Sequence, residues 1–132
     1  MTMLRTILMS LVVILATPCL ADNVRHETVK FAAGTSSSTI NSKLKGCDTV
    51  EYKLGATAGQ KMSVQLDSRN SSLYFNITAP GANEALYNSS INGNGTSVTI
   101  PSSGNYVVQV YLMRNAARRG ETAEYALTLY VE

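Results

Sequence analysis

The chain has 132 residues, 45% of them hydrophobic and 15% charged, with a formal net charge of +2 at pH 7. That length suits one domain with a real core and no more. So small a charge excludes the broad basic footprint of a nucleic-acid binder. One histidine, two cysteines and no tryptophan leave little material for a metal centre or a nucleophilic triad.

The chain opens on an export signal. Arg5 supplies a positive charge, Ile7 to Ala16 is an almost unbroken apolar run, and Pro18-Cys19-Leu20-Ala21 precedes the polar Asp22-Asn23. This pattern predicts cleavage after Ala21, with residues 1–21 as the signal and 22–132 as a single periplasmic or secreted domain. The apolar run is shorter than the ~20 residues a membrane-spanning helix needs, so no transmembrane segment is expected after cleavage. Lipid anchoring through Cys19 and anchoring by an uncleaved signal are the other readings, and Pro18 directly before Cys19 fits the lipid signal poorly. Cleavage removes Cys19 and leaves Cys47 as the single cysteine of the mature chain, so no internal disulfide is expected. Cys47 is then either a small buried hydrophobe or a thiol for intermolecular pairing or reaction.

From there the sequence alternates with period two. Val50, Tyr52 and Leu54 sit opposite Glu51 and Lys53, and Met62, Val64 and Leu66 opposite Lys61, Ser63 and Gln65. Leu73, Phe75 and Ile77 continue the pattern against Tyr74 and Asn76. Alternation of this kind sends one set of side chains into a core and the other into water. Gly46, Gly59-Gln60, Arg69-Asn70-Ser71, Pro80-Gly81, Asn92-Gly93-Asn94-Gly95 and Pro101 through Gly104 supply turn chemistry between the runs.

The reading is an all-β chain, an antiparallel, jelly-roll-like β-sandwich of about eight strands. They fall near residues 27–33, 37–44, 48–56, 60–67, 72–78, 96–100, 105–113 and 123–131. Gly81 to Tyr87 suits either one helical turn or a short edge strand. The last two strands, with Tyr106, Val108, Val110 and Leu112 on one and Tyr125, Leu127, Leu129 and Val131 on the other, are expected to anchor the core.

No enzyme is expected. His26 lies close to the mature N-terminus, the acids show no paired arrangement, and neither a metal nor a cofactor site is predicted. The most informative segment is the loop between the last two strands, which holds Arg114, Arg118 and Arg119, followed by Glu121 and Glu124. Two readings stand for it. Either these arginines pair with their own glutamates on a solvated tip, or they are offered to a carboxylate-bearing partner, whose oxygens a guanidinium fork can grip in pairs. Ser103-Gly104-Asn105-Tyr106 forms a tight turn into a strand, with Tyr106 heading an apolar face and Ser103 left beside the bend.

At these residues the chain resembles the bacterial periplasmic inhibitors of g-type (goose-type) lysozyme. The likeness includes Val29-Lys30-Phe31, Lys45-Gly46 and Gly59-Gln60-Lys61. Its specific part is Ser103-Gly104-x-Tyr106 followed by Arg114-Asn115-x-Ala117-Arg118. The resemblance implies a non-catalytic β-sandwich that blocks a lysozyme's active-site cleft with an arginine-bearing loop. Arg114 and Arg118 would be its contacts to the catalytic region, and Ser103 and Tyr106 further partner-binding residues. The chain departs from the pattern at Cys47, where those inhibitors carry an aromatic. It also resembles secreted sandwich domains of the pre-peptidase C-terminal type. The alternative function is a non-catalytic glycan- or cell-wall-binding module, with Tyr74, Tyr111 and Tyr130 on outward strand faces for stacking on sugars. The sequence leaves open whether the chain is a monomer or a homodimer.

Overall fold

A computed structural model describes residues 23–132. The expected signal, residues 1–21, lies outside the described residues. Nine strands are described: β1 (Val24–Thr28), β2 (Ser37–Lys45), β3 (Thr49–Ala56), β4 (Lys61–Ser68), β5 (Leu73–Thr78), β6 (Ala85–Asn88), β7 (Gly95–Thr99), β8 (Gly104–Leu112) and β9 (Thr122–Val131). Two short helical turns join them, α1 (Ser89–Asn92) before β7 and α2 (Arg114–Arg118) before β9.

The strands form two sheets, one in the order β1-β3-β8-β5-β6 and the other β2-β9-β4-β7. Alternation places their inner faces against each other. Tyr52, Leu54, Phe75, Ile77, Tyr106, Val108 and Val110 of the first sheet meet Met62, Val64, Leu127 and Leu129 of the second, all at most 1% exposed. The Tyr52 and Tyr125 hydroxyls meet at 2.6 Å inside this layer, each giving the other a partner that an apolar core would otherwise deny. Burial and the neighbouring Tyr52 push the Tyr125 phenol well above its usual range.

Three expectations need correction. The first strand lies at Val24–Thr28 and not near 27–33, because the chain turns at Ala32–Thr35, where Gly34 takes a positive φ of 78°. That strand also pairs in parallel with β3, so the first sheet is mixed. A period of two is common to parallel and antiparallel strands, and the sequence pattern does not distinguish them. Cys47, expected to be without a disulfide, is disulfide-bonded and packs partly buried against the core. That expectation concerned the chain after loss of residues 1–21, and Cys19, the other cysteine of the sequence, lies outside the described residues.

The ambiguous segment after Gly81 resolves as β6, an edge strand on β5. Asn88 then caps α1, its side-chain oxygen accepting from the Ser90 amide at 3.0 Å.

Candidate functional site

Strand register sorts the connections onto two ends of the sandwich. Thr49 of β3 faces Tyr111 of β8, Leu73 of β5 faces Leu112, and Lys45 of β2 faces Thr122 of β9. The β2–β3 turn, the β4–β5 loop and the α2 segment therefore share one end. At the other end Ala56 faces Gly104, which gathers the β3–β4 turn, the β5–β6 loop and the approach to β8.

The α2 end is built around a five-residue helical turn where the sequence predicts a loop. Ala116 and Ala117 are buried, while Arg114, Asn115 and Arg118 face water. Four residues apart on a helix, Arg114 and Arg118 project side by side. Gly120 closes the turn at φ 68°, and its amide donates to the Ala117 carbonyl at 3.0 Å. The signal for this helix was present: good helix formers in Ala116-Ala117-Arg118, then a glycine at the C-terminal position.

Neighbouring loops clamp the turn. The Met113 amide donates to Ser72 O at 2.8 Å, and the Gly46 amide to Glu121 O at 2.8 Å. Gly46 sits at φ 61°, and a β-carbon there would lie 3.5 Å from Ala117 O, so the β2–β3 turn rests directly on α2.

Arg119 pairs with Glu121: Nε donates at 2.8 Å and the second contact is 2.6 Å, both to Oε2. Arg114 and Arg118 do not follow it. Among the described residues neither side chain has a hydrogen bond or an ion pair. Lys45 and Arg69, also exposed, add positive charge to the same end, against Asp48 and Glu121.

Ser103 and Tyr106 lie at the opposite end. The length of β8 separates them from α2, roughly 25 Å at about 3.3 Å per residue. Tyr106 is fully buried, and its hydroxyl donates to Ser102 O at 2.6 Å. Ser103 Oγ accepts from the Ala58 amide at 2.9 Å, tying the approach to β8 onto the β3–β4 turn. The four residues singled out in the sequence thus form two separate sets. Tyr74 and Tyr111 pair on the outer face of the first sheet, with ring centroids 6.4 Å apart, while Tyr130 belongs to the second sheet. The three tyrosines do not make one platform.

Among the described residues no cluster of histidine, cysteine, aspartate or glutamate could hold a metal ion, and no helix is long and apolar enough to cross a membrane.

Superposed on solved structures, the chain is similar to Aeromonas hydrophila PliG, a periplasmic inhibitor of g-type lysozyme. The TM-score is 0.78 and the identity 35%, covering 83% of this chain and 98% of that one. The chain belongs to the family of periplasmic inhibitors of g-type lysozyme. Salmonella Typhimurium PliG is similar at 28% identity and a TM-score of 0.68, covering 82% of this chain and 98% of that one. The inhibitor of g-type lysozyme from Escherichia coli (strain K12) is 27% identical over 112 residues, or 82% of each chain. The pre-peptidase C-terminal domain of a Bacillus anthracis collagenase shares the fold alone, with 14% identity and a TM-score of 0.54 over 83% of this chain and 95% of that one. No family model matches the chain. As a member of an inhibitor family the protein is not an enzyme, and its relatives are periplasmic.

Proposed function

We propose that this protein inhibits a g-type lysozyme in the periplasm, with residues 1–21 serving as its export signal and 22–132 as the inhibitory domain. Arg114 and Arg118 enter the enzyme's cleft and pair with the carboxylates that cleave glycan. The observation that carries the reading is the contrast within one short segment: Arg119 is neutralised by Glu121, while Arg114 and Arg118 point outward without a partner among the described residues. A planar guanidinium can grip a carboxylate through two donors, and the strength of such a pair grows when the cleft closes over it and excludes water. The buried alanines of α2 and the strands on either side hold both groups in place, which limits the entropy lost on docking.

In this reading Ser103 and Tyr106 act at a distance as braces of the scaffold and make no contact with the same cleft. Cys47 follows Gly46, which rests on α2, at the position where an aromatic is expected, so contact area there is smaller.

The test is inhibition of g-, c- and i-type lysozymes by the purified domain and by the Arg114→Ala/Arg118→Ala variant. The g-type enzyme is expected to be inhibited selectively. At ~2 kcal/mol for each anchoring side chain, the double variant should lose at least a hundredfold in affinity. Its melting temperature should not change, because neither side chain holds anything in the free domain. Undiminished inhibition by the variant would remove the arginines from the mechanism, and a wild-type domain inert toward all three enzymes would remove the function.

A further inference from the structure

Three loops meet at the α2 end, and one residue touches all of them. Glu121 accepts from Arg119 at Oε2, and from Asn70 Nδ2 at Oε1 over 3.0 Å. Its carbonyl accepts from the Gly46 amide, and its own amide donates to Ala116 O at 3.2 Å. Asn70 is in turn fixed by its own loop: its side-chain oxygen accepts from the Ser72 amide at 2.9 Å, and its amide donates to Ser68 Oγ at 3.1 Å. The β2–β3 turn, the β4–β5 loop and the end of α2 are thereby joined at a single carboxylate-bearing residue. Hydrogen bonds from Arg119 and Asn70 hold its carboxyl below the usual carboxylate range, as they must if both favour the charged form.

We infer that Glu121 is a positioning residue for Arg114 and Arg118, fixing the orientation of α2 by tying it to Asn70 while it withdraws Arg119 from the binding surface. This rests on the inhibitor reading above. It makes a prediction opposite in sign to a simple charge argument. If affinity for an acidic cleft came from summed positive charge, deleting an acid would strengthen binding. If Glu121 sets the pose of α2, deleting it weakens binding even though Arg114 and Arg118 are intact.

The experiment compares Glu121→Ala with Glu121→Gln. Both remove the same negative charge, but the glutamine keeps an oxygen that can accept from Asn70. Affinity for a g-type lysozyme is measured at a temperature where all variants are folded. Glu121→Ala is expected to lose at least tenfold, and Glu121→Gln to recover a clear part of that loss. Both variants binding as well as wild type, or better, would overturn the proposal.

A second measurement needs no enzyme: amide hydrogen exchange in the free domain. In Glu121→Ala, the amides of Ala117, Arg119 and Gly120 should exchange at least tenfold faster, while those of Val108 and Leu127 in the core stay as slow as in wild type. Unchanged exchange around α2 overturns the positioning role. Faster exchange in a domain whose wild type inhibits no lysozyme leaves Glu121 as the clamp of α2 and discards the inhibitor reading alone.

Discussion

The two ends of the sandwich spend their polar groups differently. At the end where β8 begins, the groups singled out in the sequence are engaged within the fold: Ser103 Oγ accepts from the Ala58 amide, the Tyr106 hydroxyl donates to Ser102 O, and Gly104 lies against Pro80. At the end where β8 finishes, Arg119 and Asn70 are consumed by Glu121, while Arg114 and Arg118 are left over. Satisfied groups stabilise a fold, whereas an ordered charged group without a partner adds little to it and is available to something else. The Ser-Gly-x-Tyr element at the start of β8 and the arginine pair in α2, just past its end, therefore sit in different surroundings.

Removing one of the two largest buried side chains tests that division most severely. Tyr106→Ala should destabilise the domain by about 3–5 kcal/mol, through the cavity it leaves and the lost hydroxyl contact. Calorimetry would show this as a large fall in melting temperature. Below that temperature the variant should inhibit lysozyme as well as wild type does, which is the reverse of the arginine variant. Weaker inhibition by fully folded Tyr106→Ala would join the two ends into one functional unit.

A smaller change of the same kind is Gly104→Ala. The backbone there has φ 154°, and a β-carbon would lie 2.7 Å from Pro80 Cγ. Strain of this sort costs about 1–3 kcal/mol, read from chemical denaturation, again with no change in affinity.

The least of these effects concerns acid. Because Glu121 titrates below the ordinary value of 4.5, it favours the fold in its charged form. Its contribution is complete above that pH and disappears as pH falls through the lower folded value. The difference in melting temperature between wild type and Glu121→Gln should accordingly be constant near neutrality and narrow only below about pH 4.5.

Much of the fold was legible in the sequence because burial on one face imposes a period of two. The spans of β2 to β5 and β7 to β9 fall within two residues of those expected, and the expected inward residues of β3, β4, β5, β8 and β9 are the buried ones. The α2 turn was missed because Arg114 to Arg118 is too short for a helical period to show against flanking strands, although Ala116, Ala117 and Gly120 marked it. The role of Glu121 was out of reach for a different reason. Its partners Asn70 and Gly46 are 51 and 75 positions away, and nothing local announces them.

By itself the sequence determined an all-β sandwich, the faces of its strands and the segment rich in arginine. These follow from short-range periodicity and composition, which each residue expresses with its immediate neighbours. Only the tertiary structure decided that β1 pairs in parallel, that Ser103 and Tyr106 lie at the far end from Arg114 and Arg118, and which of three arginines is already taken. Those outcomes depend on pairing between distant strands, and the sequence pattern is silent on which end of a strand a neighbouring loop will reach.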